Sequence, residues 1–223
     1  MKIRKVAITA RHLPASAAFY RDVLQMPVVE HADRVTVRIG SSELILTRAE
    51  MTDGVHHLAF GIAPNEFDSM HQWLNQRVDI ITVNGSQVVD GPETWNSQSL
   101  YFLGPEDILL EFIARQADIE VRGNDGDVPQ PLSISEIGIG VVDVAATARE
   151  LTTTLGLPTF PPQLPRFAPI GSHDGLLIVA DQQRPWFPTF THRPAQGRLT
   201  ALINAPTPQQ LNLADNITVS ATA

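Results

Sequence analysis

Short runs of alternating apolar and polar residues, each followed by a helical stripe, recur three times along the chain. Val6-Ala7-Ile8-Thr9-Ala10 precedes residues 14–24, His57-Leu58-Ala59-Phe60-Gly61-Ile62 precedes 65–74, and Ile137-Gly138-Ile139-Gly140-Val141 precedes 144–155. A period of two marks a half-buried strand, and a period near 3.6 marks an amphipathic helix. Ala15, Phe19 and Val23 form the first stripe, Phe67, Met70 and Leu74 the second, and Val144, Ala148, Leu151 and Leu155 the third. Asn65, with Asp68 three residues on, has the composition of a helix start.

Strand-like runs follow each helix: 28–31, 35–39 and 43–47 in the first unit, 80–83, 99–103 and 108–113 in the second, 166–170 and 176–180 in the third. The pattern predicts an α+β chain of tandem βαβββ modules. Modules 1–50 and 53–115 make one domain over 1–115, and 132–204 is a third module. The Gly/Asn/Asp and Pro content of 116–131 predicts a linker. The run 198–203 reads as the single strand of a vestigial fourth module, and 205–223 as a polar, mobile tail. One module cannot bury its own sheet face. If modules one and two cover each other, the third exposes Gly138, Gly140, Leu177 and Val179, and a homodimer through 133–204 is expected.

Composition narrows the function classes. The chain has 223 residues and no cysteine, which excludes disulfides, thiolate zinc sites, cysteine nucleophiles and iron–sulfur clusters. A net charge of −8, from 16 Lys and Arg against 24 Asp and Glu, disfavours nucleic acid and acidic membrane surfaces as partners. No apolar run approaches the roughly 18 residues of a membrane span, and residues 1–6 lack a signal-peptide pattern, so a cytoplasmic location is expected. Gly138-Ile139-Gly140 lies within a strand, not at a strand-to-helix turn, so no nucleotide cofactor is expected. No nucleophile-elbow spacing supports a serine hydrolase.

His57-Leu58-Ala59-Phe60 opens the second module, and Leu100-Tyr101-Phe102-Leu103-Gly104-Pro105-Glu106-Asp107-Ile108-Leu109-Leu110-Glu111-Phe112 closes it. With Ala18-Phe19-Tyr20-Arg21-Asp22-Val23-Leu24, these motifs resemble the vicinal-oxygen-chelate superfamily, which includes glyoxalase I, extradiol dioxygenases, fosfomycin-resistance thiol transferases and bleomycin-resistance proteins. Asp107 stands where the family's closing motif has Gly. The resemblance implies a glyoxalase-like concave sheet holding a divalent metal, with His57 and Glu111 as ligands and Fe, Mn, Ni or Zn as the ion. Such a cation chelates two neighbouring oxygens of a small organic substrate.

Strand alternation agrees with that placement. His57, Ala59 and Gly61 share the face opposite Leu58, Phe60 and Ile62, and Glu111 shares a face with Leu109. The third ligand is missing from the pattern. Aligned on the family's positions, module one carries Lys5 and Thr47, and module three carries Glu136 and Val179. Lys5, Thr47, Tyr101 and Leu109 are expected around the cavity, although aromatic residues such as Tyr101, Trp95 and Trp186 also serve simply to cover a core. A lone inward carboxylate is costly unless paired, so Lys5 paired with Glu111 is the competing explanation for Glu111. Glu136 is left to pair with Arg198 or to remain exposed. Two functions follow: a metal-dependent enzyme of the dioxygenase or glyoxalase type, with no catalytic acid or base assigned, or a metal-free protein that binds and sequesters a small molecule, as bleomycin-resistance proteins do.

Overall fold

A computed structural model describes residues 1–49, 53–121, 123 and 128–223. In chain order the elements are β1 Ile3–Ala10, α1 Leu13–Ala18 with a π-helical continuation Phe19–Val23, β2 Val28–Glu30, β3 Arg34–Ile39, β4 Ser42–Arg48, β5 His57–Ile62 and α2 Phe67–Asn75. Then come β6 Val89–Asp90, β7 Ser97–Leu103, β8 Leu109–Arg115, β9 Ser133–Val141, α3 Val144–Leu155, β10 Phe167–Ser172, β11 Gly175–Asp181, β12 Leu199–Asn204, β13 Gln210–Ala214 and β14 Ile217–Thr222. The helix of module three has the bounds its stripe predicts. Asp143 caps its start by accepting a hydrogen bond from the Ala146 N–H, and Gly156 ends it at φ 68°, a left-handed conformation that glycine adopts without strain.

The strands form two seven-stranded sheets, ordered β13-β14-β12-β1-β4-β3-β2 and β10-β11-β9-β5-β8-β7-β6. Modules one and two therefore do not share a sheet. Module two joins module three through the antiparallel β5–β9 pair, and module one joins β12 through the antiparallel β1–β12 pair. One core holds the helix-facing sides of both sheets, with Val6, Ile8 and Leu44 from the first and Leu58, Phe60, Phe112, Ile137, Leu177 and Val179 from the second.

Several expectations are corrected by this topology. Residues 205–223 are not a mobile tail: β13 and β14 extend the first sheet, and Leu211, Ile217 and Val219 are buried in the core. The face that argued for a homodimer is covered within the chain. Leu177 and Val179 point to the helix side, while Leu176, Ile178 and Ala180 face the concavity in a second buried cluster. The run at 80–83 forms only isolated bridges, Ile80 to Phe102 and Val83 to Ser86, the second closing the Asn84-Gly85 turn that reverses the chain. Asn65 is not the cap of α2: a helical turn at Pro64–Glu66 precedes that helix. The expected linker includes residues 122 and 124–127, which lie outside the described residues, and within it Gln116–Asp118 forms a helical turn.

A candidate metal centre in the second sheet

Three adjacent strands build the site. In the parallel β5–β8 pair Ala59 lies opposite Glu111, and in the antiparallel β5–β9 pair Ala59 lies opposite Glu136. Glu111, Ala59 and Glu136 therefore form one row on the concave face, where the small Ala59 side chain leaves room between the carboxylates. His57 stands two residues earlier on the same face of β5. One ligand atom each from His57, Glu111 and Glu136 lies within 4.8 Å of the others, and all three residues are buried. The register slips between Ala59 and Phe60, because Ser135 is an extra residue in β9. That bulge lets Glu136 face the site while Ile134 and Ile137 both face the core.

Hydrogen bonding fixes the state of His57. Its Nδ1 lies 3.2 Å from the Leu109 carbonyl oxygen, which can only accept, so Nδ1 carries the proton and Nε2 carries the lone pair. Burial pushes the His57 pKa down to about 4, keeping the ring neutral. Its Nε2 lies 3.6 Å from Glu111 Oε2, a contact between two electron-rich atoms and not an ion pair at neutral pH. Burial, with Glu136 as a second cause, pushes the Glu111 pKa up, while hydrogen bonds from Ser99 and Tyr101 and the charge of Arg115 oppose the rise. Glu136 is also raised by burial and held back by Arg115.

His57, Glu111 and Glu136 fit a divalent cation. A neutral imidazole is anchored through one nitrogen with the other free, and two buried carboxylates face it, one of them paired with the Arg115 guanidinium. A cavity of about 400 Å³ opens above the three residues. Its walls include Trp95, Tyr101, Phe167, Ile178, Trp186 and Phe187. The Trp186 ring lies 5.3 Å from that of His57 and fits over Gly138, where a Cβ would come within 2.7 Å of the indole.

The sequence-derived site residues divide between the two sheets. Tyr101 lines the cavity, and Leu109 packs in the concave cluster beneath His57. Lys5 lies in the other sheet and pairs with Glu43 at 3.1 Å, so it does not reach Glu111. Thr47 is also in the first sheet, where its hydroxyl donates to the Ile8 carbonyl. Register places Ile45, not Thr47, at the counterpart of Glu111, because Ala7 pairs with Ile45 as Ala59 pairs with Glu111. In module three that counterpart is Ile178, not Val179. Glu136 is neither exposed nor paired with Arg198: its partner is Arg115, which is 1% exposed. Sequence reasoning passed over Arg115, although a charged residue four positions after Glu111 on one strand face was a readable signal.

A family model described as Glyoxalase/Bleomycin resistance protein/Dioxygenase superfamily matches residues 2–154. The metallothiol transferase FosB of Staphylococcus saprophyticus is 25% identical over 113 residues, a match covering 47% of this chain and 70% of that protein. Among solved structures, a candidate dioxygenase from Bacillus subtilis matches with a TM-score of 0.62 at 12% identity, covering 99% of this chain and 85% of that one. A glyoxalase I mutant from Zea mays matches with a TM-score of 0.59 at 10% identity, covering 99% and 91%. At these identities the structural likeness concerns the fold alone.

Proposed function

The chain belongs to the glyoxalase/bleomycin resistance protein/dioxygenase superfamily, and we propose that it is a metal-dependent enzyme acting on a small, largely apolar organic molecule that carries neighbouring oxygens. The observation that carries the reading is the His57 tautomer, with Nδ1 tied to the Leu109 carbonyl and Nε2 presented to two buried carboxylates. His57, Glu111 and Glu136 would hold the ion, and a set of one imidazole and two carboxylates suits Mn(II) or Fe(II), with Ni(II) and Zn(II) as further candidates. The bound cation supplies Lewis acidity toward two adjacent substrate oxygens. The chain's own residues supply the rest. The aromatic walls strip water from the apolar body of the ligand. Tyr101 keeps its phenol proton, because burial raises its pKa well above the usual value, and it donates that proton to Glu111 in a hydrogen bond. Arg184, whose guanidinium lies 4.9 Å over the Phe167 ring, lines the same cavity and offers a cation to an acidic substituent.

A metal-free binding protein is the second reading, and one observation favours it: Arg115 already supplies a cation to Glu136. Elemental analysis of protein purified without chelators and then loaded with Mn(II), Fe(II), Ni(II) or Zn(II) separates the two. The enzyme reading expects close to one equivalent of one of them. A chain that binds a small aromatic ligand but none of the four cations belongs to the second reading. No homodimer is attached to either reading, because the surface that argued for one is covered within the chain. Sedimentation equilibrium checks this. Among the described residues no helix is long and apolar enough to cross a membrane.

A further inference from the structure

We propose that Arg115 is a positioning residue for the metal site, which balances the charge of Glu136 and fixes the direction of its unpaired carboxylate oxygen. The inference rests on the metal-enzyme reading and extends it to a residue outside the ligand set. Arg115 ends β8 on the concave face, four residues after Glu111. Its guanidinium donates to the Ser135 hydroxyl through Nη1 and to Glu136 Oε1 through Nη2, and it lies 5.6 Å from the Trp95 ring centre. The ion pair uses one oxygen of Glu136 and leaves Oε2 outside it. A carboxylate held in this way presents one oxygen in a fixed direction, as hydrogen-bonded metal ligands generally do.

Charge supplies the second half of the argument. With His57 neutral, ionised Glu111 and Glu136 contribute two negative charges and Arg115 one positive, a net charge of −1. Two imidazoles and one carboxylate have the same net charge. The arginine is 1% exposed, so solvent does little to screen it from the carboxylates. Its Nε has no hydrogen-bond partner among the described residues, and a group buried at that cost is retained here for its charge and its grip on Glu136.

The test is a cycle of Mn(II) affinities measured by isothermal titration calorimetry on the wild-type chain, E136H, R115M and R115M/E136H. E136H and R115M/E136H present identical donor atoms, so their comparison isolates Arg115. E136H leaves the arginine uncompensated, and R115M/E136H is expected to bind Mn(II) about tenfold more tightly than E136H or better. In the chain that keeps Glu136, R115M is expected to give no such gain, because the carboxylate loses its anchor. R115Q replaces R115M in both arms if the methionine variants do not fold. Equal affinities of E136H and R115M/E136H overturn the proposal, and so does an equal tightening in both backgrounds, which marks Arg115 as merely a nearby charge. A wild-type chain that binds no cation refutes the metal reading and the proposal together, a result distinct from a failed cycle on a metal-binding wild type.

Discussion

His57 Nε2 lies 3.6 Å from Glu111 Oε2 while Nδ1 of the same ring is tied to the Leu109 carbonyl, so two electron-rich atoms face each other inside the second sheet. That arrangement is stable only if something positive stands between them or if Glu111 holds a proton. Burial and Glu136 both push the Glu111 pKa up, so in the metal-free protein the proton is the internal solution, and a divalent cation would displace it.

Stability above pH 6.5 follows from this. Glu111 and Glu136 have folded-state pKa values above the ordinary 4.5. Their contribution to stability is therefore complete at acidic pH and is lost as pH rises through the folded values. His56 and His57, lowered from 6.5 to about 4, act the other way: their contribution is present above pH 6.5 and is lost as pH falls toward 4. Between 4.5 and 6.5 Glu111 and the two histidines oppose each other, and above 6.5 Glu111, pushed up to about 8, outweighs the smaller opposing effect of the Met1 ammonium, which burial lowers from 8.0. Thermal melts of the metal-free protein from pH 6.5 to pH 9 are expected to show declining stability, with a shallower decline in Glu111→Gln. A wild-type melting temperature that rises across this range contradicts the assignment.

Removing Arg115 leaves Glu136 buried without its partner. Arg115→Met is expected to cost about 3–5 kcal/mol at pH 8, as breaking a buried ion pair usually does, and Arg115→Met combined with Glu136→Gln is expected to cost clearly less. Urea denaturation of both variants checks this. A single variant as stable as the wild type would show that the pair contributes nothing to the fold.

Gly138 holds the door for Trp186. A Cβ there would lie 2.7 Å from the indole Cη2 and Cζ2 and 3.0 Å from His57 Cβ. Gly138→Ala is expected to push the indole off its seat at a cost of about 1–3 kcal/mol, with a shift in tryptophan emission. An unchanged emission spectrum and an unchanged melting temperature together contradict the packing described.

The last two strands belong to the first sheet. A chain ending at Pro206 loses Leu211, Ile217 and Val219 from the core and leaves β12 as a bare edge. Such a chain is expected to be insoluble or strongly destabilised. Circular dichroism melts decide the point, and a truncated chain that melts at the wild-type temperature would restore the view of 205–223 as a dispensable tail.

Local pattern made much of this fold legible and said little about pairing. The stripe Val144, Ala148, Leu151 and Leu155 defines α3 because Asp143 and Gly156 bound it with cap chemistry. The alternation in β5 puts His57 on the concave face, as the structure has it. Which modules share a sheet is a long-range choice that periodicity does not encode, so modules one and two were expected together and module three alone. The tail was missed although Leu211 and Leu213, then Ile217, Val219 and Ala221, alternate around the Asp215-Asn216 turn. At the site, the cost of burying a carboxylate singled out Glu111 in its apolar strand. The same cost applies to Glu136, flanked by Ile134 and Ile137, yet Glu136 was left to pair outside the site. Alternation with Gly138 and Gly140 already puts Glu136 on the concave face; the β5–β9 pairing, which sets it opposite Ala59 and beside His57, is the long-range step that the local pattern does not encode.

The most direct measurement is equilibrium binding of Mn(II) to the wild-type chain and to His57→Ala at pH 7.5, followed by calorimetry and by the electron paramagnetic resonance of the free ion. The account predicts close to one site per chain in the wild type and its loss in His57→Ala, with the fold of the variant intact by circular dichroism. A wild-type chain that leaves all Mn(II) free, and likewise fails to take up Fe(II), Ni(II) or Zn(II), contradicts it.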